Sequence, residues 1–462
     1  MKIYKSIVVG LVSALVAMPV FAQDEASQQI LITNVNIFDG RNDNLEEGRN
    51  VLVENNLIKT ISRGDISVGE GATVIDGGGR TLMPGMIDNH VHFSLTGATL
   101  SQIENNMTWE DIAYNAVPSA GMYLMEGFTT VRDAGGTNAG LRRAIDAGLF
   151  NGPRVYTSGA FLGGRGGHAD FAPFTAPAGT ETNMSRLNMS QEVNGVDATI
   201  VYARNNFRMG NTQLKVMQSG GVVSLFDPWQ MEGRTVEEIE AAVEIANQYG
   251  SYAMAHSYKK ESILRALHAG VKTIEHGFMF DGEIAELMKV KGAYITTNLT
   301  AFDPGLLDIP AVKNDPRTLS KAVSASNAFV DYLENVRKYK PKRGFHTDCV
   351  GKFKACRKQV AYEKYLNGEF FGNHRALVAL TSVGGEIAAL SGDIVNPYQE
   401  GKLGVIEEGA YADLLIVDGN PLKDLSVIGT QDKWFDGPDR PDGVKTIRII
   451  MKDGVIYKNT LD

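Results

Sequence analysis

The sequence predicts an α/β protein: a (β/α)8 TIM barrel with a small β-sandwich domain built from both chain ends. After Pro84 and Gly85, short apolar segments alternate with helical ones, the rhythm of a parallel sheet with crossover helices. Before that point and near the C-terminus, short runs alternate apolar and polar residues, which predicts antiparallel strands. The 462 residues fit a barrel of ~250 residues and a smaller unit.

The N-terminus is typical of a signal peptide. Lys2 and Lys5 precede an apolar run from Ile7 to Ala17, and small residues at Val20 and Ala22 suit cleavage after Ala22. The run is shorter than the ~20 residues that a membrane-spanning helix needs. We therefore expect a secreted or periplasmic protein with no stable membrane anchor. A short uncleaved anchor is the alternative.

We expect four segments along the chain. Residues 1–22 are the signal peptide, 23–84 the N-terminal part of the β-sandwich, 85–395 the barrel and 396–462 the C-terminal part of the β-sandwich. The N-terminal strands are ILITNVNIF, NVLVENNLIKTI and ATVIDGGG, and the C-terminal ones are ADLLIVDG and KTIRIIMKDGVIYKN. Two separate β units, one at each end, are the alternative.

The barrel segment contains eight strand candidates. In chain order they are MIDNHVHF, FTTVRDAGG, RVYTSG, QLKVMQSGG, SYAMAH, KTIEHG, AYITTN and RGFHTD. Helical stretches such as TVEEIEAAVEIANQYG, ESILRALHAG and DGEIAELMKVKG lie between them, with apolar residues three and four apart and a glycine near each end. Eight strand–helix units predict a closed barrel.

Composition excludes some classes of function. Hydrophobic residues make up 43% and charged residues 21%, as in soluble globular proteins. The net charge of −9 argues against nucleic acid as a partner. Because Cys349 and Cys356 are the only cysteines, no disulfide framework holds the fold. A single bridge between them and two free thiols both remain open.

Polar side chains follow several barrel strands, and the C-terminal ends of the strands face a barrel's active site. The first strand ends in His90-Val91-His92, so both imidazoles project to the same side. The other strand ends carry Lys215, His256, His276 and Asp348. One such histidine alone is more often a structural residue, but coincidence at five strand ends predicts a site for zinc or a similar metal.

Lys215 is the unusual member of this set, because an ammonium group would repel a divalent metal. A neutral amine can instead add carbon dioxide, and the two oxygens of the resulting carbamate could bridge two metals. Burial and nearby cations favour the neutral amine. A lysine paired with an acid is the alternative.

Several segments together resemble the amidohydrolase superfamily over nearly the whole mature chain. They are GMIDNHVHF, FTTVRDAGG, QLKVMQSGG, AHSYKKESILRALHAGVKTIEHG, HTD and KLGVIEEGAYADLLIVDGNPL. The chain is most similar to the imidazolonepropionase-related branch, which includes metal-dependent Xaa-Pro and Xaa-Arg/Lys dipeptidases and ochratoxin-type hydrolases of N-acyl amino acids. The resemblance implies two divalent metal ions, expected to be Zn2+, a dipeptide or other small-molecule substrate, and a homo-oligomer.

The resemblance also assigns roles to the strand-end residues. One ion would be bound by His90, His92 and Asp348, the other by His256 and His276, and N6-carboxylated Lys215 would bridge them. A hydroxide between the ions would be the nucleophile. Asp348 would act as proton shuttle, taking the hydroxide's proton and handing it to the departing amine.

Three further residues are predicted to bind substrate. His168, in the loop GGRGGHAD, and Tyr258 resemble residues that in the dipeptidase branch meet the substrate and its α-carboxylate, and Arg165 could add charge. A flexible surface connection is the alternative for this loop. His346 stands where relatives often have a small residue, and it could narrow the pocket or carry a proton.

The leading expectation is hydrolysis of the amide bond before a C-terminal amino acid, in dipeptides or N-acyl amino acids. Opening of a cyclic amide or ester within the same superfamily is one alternative. A periplasmic protein that only binds a ligand is another.

Overall fold

The structure is a computed structural model that describes residues 27–222, 224 and 226–461. The predicted signal peptide at residues 1–22 lies outside the described residues. Within those residues, no helix is both long enough and apolar enough to cross a membrane.

Five strands precede the barrel: β1 (Gln29–Ile37), β2 (Glu46–Glu54), β3 (Leu57–Ser62), β4 (Thr73–Asp76) and β5 (Thr81–Pro84). The first three pair antiparallel, while β4 and β5 both run parallel to β1. Alternating residues of β1 and β2, such as Ile30, Ile32, Val51 and Val53, are buried in one apolar cluster, as expected of strands with one covered face.

The described residues of the barrel region form ten strands. They are β6 (Met86–Val91), β7 (Phe128–Asp133), β8 (Arg154–Thr157), β9 (Phe161–Gly163), β10 (Ser190–Glu192), β11 (Leu214–Met217), β12 (Ala253–Ser257), β13 (Thr273–His276), β14 (Tyr294–Thr296) and β15 (Arg343–Gly344). Each of the eight predicted barrel segments contains one of them. The third barrel strand is β8, which β9 continues toward the loop side.

The strands close into a barrel. Strands β6, β7 and β8 are parallel neighbours, and so are β9, β11, β12, β13, β14 and β15. The Thr212 amide donates to the Thr157 carbonyl at 2.8 Å, which joins the third and fourth barrel strands. The Asn89 amide donates to the Phe345 carbonyl at 2.9 Å, which joins the eighth strand to the first. The predicted fold class is confirmed.

Helices lie between the strands and follow the last one. They are α1 (Leu100–Asn106), α2 (Trp109–Met125), α3 (Gly140–Asp146), α4 (Asn183–Arg186), α5 (Val196–Arg208), α6 (Val236–Gln248), α7 (Lys260–His268), α8 (Gly282–Lys291), α9 (Pro310–Lys313), α10 (Pro316–Asn327), α11 (Phe329–Tyr339), α12 (Phe353–Phe371), α13 (Asn373–Leu380), α14 (Ser382–Ala389) and α15 (Gly392–Val395). Four short 3-10 segments cover Phe93–Leu95, Leu299–Phe302, Pro304–Asp308 and Leu425–Ile428. The three helices predicted by sequence are α6, α7 and α8. A capping box of Thr235 and Glu238 starts α6, and left-handed Gly292 ends α8.

The chain returns to the first sheet after the barrel, through β16 (Leu414–Val417), β17 (Ile447–Lys452) and β18 (Val455–Asn459). Because β16 pairs antiparallel with both β5 and β17, the two chain ends share one sheet of eight strands. Arg154 of β8 is buried in an ion pair with Asp413 at 3.0 Å and lies over the Tyr411 ring. These contacts fasten the sheet to the barrel.

A disulfide joins Cys349 and Cys356. It connects the residue directly after Asp348 to α12, so the chain beyond the eighth strand is covalently fixed to the helix that follows it.

Candidate functional site

The predicted metal-ligating residues of the first, fourth and eighth barrel strands lie together at the C-terminal end of the barrel. The Nε2 atoms of His90 and His92 are 3.2 Å apart, and Lys215 Nζ lies 3.4 Å from His90 Nε2. Asp348 Oδ1 lies 3.2 Å from His92 Nε2 and 3.6 Å from His90 Nε2. Four donor groups from three parts of the chain therefore converge on one small volume.

His256 and His276 complete this ligand cluster. Their ring centroids are 4.5 Å apart, and the His276 ring is 5.3 Å from that of His90. Nδ1 of His276 lies 4.0 Å from Asp348 Oδ2. The structure thus brings all six predicted ligands together, which we call the ligand cluster: His90, His92, Lys215, His256, His276 and Asp348. Their binding of a metal stays a prediction.

Hydrogen bonds fix which nitrogen of His90 and His92 faces the cluster. Nδ1 of His90 lies 2.7 Å from Glu275 Oε2, and Nδ1 of His92 lies 2.8 Å from the Gly135 carbonyl oxygen. Since an ionised carboxylate and a carbonyl only accept, Nδ1 carries the proton in both rings. Each Nε2 is therefore a bare lone pair that faces the cluster, as in metal-binding histidines.

The second pair of histidines is fixed in the same manner. Nδ1 of His276 is 2.9 Å from Asn298 Oδ1, and Nε2 of His256 is 3.2 Å from the Gly220 carbonyl oxygen. The free nitrogen is therefore Nε2 in His276 and Nδ1 in His256. The amide of Asn298 reaches toward Asp348 Oδ2 at 3.5 Å, which places its oxygen on the His276 side.

Two cluster residues have strained backbones. His276 has φ 71° and Asp348 has φ 54°, in the left-handed region that residues other than glycine seldom adopt. Such a conformation costs about 1–3 kcal/mol and persists where the surroundings enforce it. At His276 it also breaks the alternation of side chains, so that Glu275 and His276 both contact the cluster.

Burial keeps three of the cluster imidazoles, those of His90, His256 and His276, neutral. It holds the pKa of His90 and of His256 well below the usual value and lowers the pKa of His276 to about 4. Burial alone would raise the pKa of Asp348, but its close contact with His92 and with the neighbouring imidazoles lowers that pKa more. At neutral pH the imidazoles of His90, His256 and His276 are therefore neutral, and the carboxylate of Asp348 is ionised.

Lys215 is buried in this setting without an acidic partner. Burial lowers its pKa to about 8. Among residues 27–222, 224 and 226–461, no carboxylate lies within ion-pair distance of its amine. The lysine–acid pair considered from the sequence is therefore not formed there, and burial makes the neutral amine more accessible than it is in an exposed lysine.

The donor set fits divalent metal ions. One ligand atom each of His90, His276, His346 and Asp348 lies within 4.8 Å of the others. Inward lone pairs on imidazoles and a carboxylate, sheltered from water, are the donors that zinc and its neighbours prefer. The hydrogen bonds described above decide the fit. They occupy one nitrogen of each imidazole and leave the nitrogen that faces the cluster free to bind a metal.

Glu275 is a functional candidate that the sequence did not reveal. It is fully buried, and Arg132 Nη2 donates to both of its oxygens at 2.8 Å. The remaining contacts of Glu275 are with His90, Thr273 and Thr296. The available signal was an acidic residue inside a predicted barrel strand, which the structure shows to be the buried strand β13.

His168 and Tyr258 lie against the ligand cluster. The ring of His168 stacks on His256 with centroids 4.1 Å apart, and its Nδ1 is 3.1 Å from Asp227 Oδ2. The ring of Tyr258 stacks on Phe278 and lies 5.0 Å from the His276 ring. Burial raises the pKa of Tyr258, so its hydroxyl remains a hydrogen-bond donor.

A small pocket adjoins Tyr258. Its walls include Val222, Trp229, Tyr258, Phe278, Met279 and Lys321. The Lys321 amine donates to the Ser224 carbonyl at 3.0 Å and lies 4.0 Å from Asp227 Oδ1. Buried Asp227 therefore lies between His168 and Lys321. The sequence predicted neither Asp227 nor Lys321.

Arg165 has a different environment from the other two predicted substrate-binding residues. Its guanidinium is 3.1 Å from Glu192 and 3.6 Å from Asp170, and it donates to the Ala176 carbonyl at 2.7 Å. These contacts hold its own loop together. Its role toward a substrate stays a prediction.

Comparison with known proteins agrees with this geometry. The amidohydrolase family matches residues 81–456. Ochratoxinase from Aspergillus niger is 29% identical over 390 residues, which cover 82% of this chain and 75% of that protein. A prolidase complexed with N-methylphosphonate-L-proline is 31% identical, with a TM-score of 0.83 over 94% of this chain and 100% of that one. A Xaa-Pro dipeptidase with bound methionine is 27% identical, with a TM-score of 0.77 over the same shares.

Proposed function

The chain belongs to the amidohydrolase family and is a hydrolase acting on carbon–nitrogen bonds, and we propose that it cleaves the amide bond before a C-terminal amino acid. Its substrates are dipeptides or N-acyl amino acids. The similarity to a prolidase, a Xaa-Pro dipeptidase and an ochratoxinase supports this class. The observation that carries the proposal is the ligand cluster, whose free nitrogens face inward beside a pocket that presents Tyr258 and Lys321.

Two divalent ions, most simply zinc, fit the cluster. One ion would be held by His90, His92 and Asp348, and the other by His256 and His276. Lys215 would help to hold both ions as the carbamate that its amine forms with carbon dioxide. Bound divalent ions supply Lewis acidity toward a carbonyl oxygen and lower the pKa of water. No carboxylate of the described residues pairs with Lys215, and this supports its modified form, since a neutral amine is the one that reacts with carbon dioxide.

Asp348 is the proton carrier. Its lowered pKa keeps it ionised at neutral pH, so it accepts a proton from the attacking water and passes it to the departing amine. One carboxylate oxygen faces His92 and the other faces Asn298 and His276. These contacts hold the carboxylate in one orientation, which a proton transfer in a fixed direction requires.

The substrate's carboxylate lies on the side of His168, Tyr258 and Lys321. Tyr258 offers a hydroxyl donor, and Lys321 offers a cation in the pocket wall. Asp227 orients the His168 ring and the Lys321 amine, since it lies 3.1 Å from His168 and 4.0 Å from Lys321. The apolar remainder of the pocket, including Val222 and Phe278, suits an apolar side chain on the C-terminal residue.

The test is a substrate screen with the zinc-loaded mature protein. Dipeptides and N-acyl amino acids are compared with their C-terminal amides and with cyclic amides and esters. The proposal expects release of a free amino acid from the first group, abolished by a chelator and restored by zinc. Turnover confined to cyclic substrates would contradict the substrate class, and a metal-free chain that only binds ligands would contradict catalysis.

We also propose that the chain is exported. The signal-peptide pattern and the Cys349–Cys356 disulfide both suit an oxidising compartment outside the cytoplasm. N-terminal sequencing of the protein recovered from the periplasm or medium should begin at Gln23. Accumulation in the cytoplasm with Met1 retained would contradict the proposal.

A further inference from the structure

His346 is a buried imidazole that none of the roles above uses. It lies two residues before Asp348 and is inaccessible to solvent. Its ring stacks on His90, with centroids 3.8 Å apart and planes 15° from parallel, and lies 5.0 Å from the His276 ring. It therefore borders the ligand cluster directly.

A chain of hydrogen bonds fixes the protonated nitrogen of His346. The Thr296 hydroxyl donates to Glu275 Oε2 at 2.7 Å, because the carboxylate can only accept. The hydroxyl has one proton, so its oxygen accepts from His346 Nδ1 at 2.9 Å. Nδ1 therefore carries the proton, and Nε2 is a bare lone pair.

That Nε2 atom has no hydrogen-bond partner in the described part of the chain and is shielded from solvent. Buried polar atoms without partners are rare, and each calls for a ligand, ion or water. His90 shows the same pattern beside it, with Nδ1 on Glu275 Oε2 and Nε2 in the ligand cluster. One carboxylate thus orients two stacked imidazoles, His90 directly and His346 through the Thr296 hydroxyl.

The stacking decides how two such rings could bind metal. An imidazole that binds a metal ion has the ion roughly in the plane of its ring. Two parallel rings 3.8 Å apart therefore favour two ions at neighbouring positions rather than one shared ion. Ions in two-metal sites are about 3.5–4 Å apart. One ligand atom of His346 also lies within 4.8 Å of the ligand atoms of His90, His276 and Asp348.

We propose that His346 is a further metal ligand, and that it binds the ion held by His276, next to the ion held by His90. The inference rests on the metal-dependent function proposed above, and it adds a residue that the superfamily resemblance does not assign. The second ion then has a third imidazole in addition to His256 and His276. We expect it to be held more firmly than those two rings and Lys215 alone would allow.

The test uses the cobalt-loaded full chain and measures metal rather than turnover. The variant His346→Phe keeps a stacked aromatic ring but removes both nitrogens, and His268→Phe is the control, because His268 is an exposed residue of α7. We expect His346→Phe to lose one of two cobalt ions to a chelator at least about tenfold faster, with a changed visible spectrum. The control should behave as the unmodified chain.

A second variant, His346→Asn, keeps the test decisive if the His346→Phe protein does not fold. Folding is checked by circular dichroism, and Asn should also accelerate the loss of one ion. A folded variant with unchanged retention of both ions and an unchanged spectrum would overturn the inference and leave the proposed function standing. An unmodified chain that binds no cobalt would overturn both.

Discussion

The two sides of the candidate site are built differently. The ligand cluster comes from strand ends, and a partner such as Glu275, Gly135, Asn298 or Gly220 fixes each imidazole. On the substrate side, His168 and Asp227 lie on loops and Lys321 lies on α10. Residues on rigid strands are placed more accurately than residues on loops. We infer from the difference that the strand residues carry out the reaction, while the loop residues determine which substrates bind.

The charges of the two sides differ as well. The strand side places the neutral imidazoles of His90, His256 and His276 around Asp348, a carboxylate with a lowered pKa. On the loop side, Asp227 has its pKa raised by burial but lowered further by His168, and it remains ionised between His168 and Lys321. Substitutions on the first side should therefore affect every substrate, and those on the second should affect substrates unequally.

The largest effect is expected from Asp348→Asn. An amide cannot accept the proton of the attacking water, so kcat should fall about 10²–10⁴-fold on all substrates. Steady-state kinetics and elemental analysis of the same preparation check this. Loss of less than tenfold in kcat with bound metal unchanged would show that Asp348 is not the proton carrier.

The next largest effect is expected on metal affinity, from Glu275→Gln. This substitution replaces the carboxylate that orients His90 with a neutral amide. Removing such an outer partner lowers metal affinity by about 10–100-fold, and chelator competition measures it. Glu126→Gln is the control, because Glu126 is equally buried and paired with Lys364 and Arg440. If both variants changed metal affinity alike, general destabilisation would be the cause.

A selective effect is expected from Tyr258→Phe and Lys321→Met. Each removes a donor for the substrate's carboxylate, so kcat/KM for N-acyl amino acids should fall about tenfold more than for the corresponding amides. Lys313→Met, on the exposed surface of α9, controls for the lost charge. Equal losses on acids and amides would remove the distinction between the two sides of the site.

The smallest effect concerns pH. In the folded metal-free chain His276 has a pKa of about 4, whereas the ordinary value, expected in the unfolded chain, is 6.5. As the pH falls, the unfolded chain therefore binds the proton before the folded chain does. His276 should therefore cost about 1 kcal/mol of stability between pH 6 and pH 5. Urea unfolding of the metal-free chain and of His276→Asn measures this difference. Identical pH dependence in both would contradict it.

The strand-borne part of the site was predictable because side-chain alternation and barrel topology fix where strand ends point. His90 and His92 are two residues apart, and both face the cluster as expected. Glu275 was hidden because left-handed His276 breaks that alternation. Lys321 and Ser224 are 97 residues apart in sequence, and no local pattern predicts such a contact between a loop and a helix. Arg165 was predicted from its loop, but its ion pairs depend on tertiary structure.

The most direct test of the metal-dependent account is the metal content of the purified mature chain beside that of Lys215→Ala. After dialysis against zinc and then against metal-free buffer, elemental analysis should find about two ions per chain, and fewer in the variant because the group between the ions is gone. A chain that retains no metal, or a Lys215→Ala variant that keeps both ions, would contradict the account.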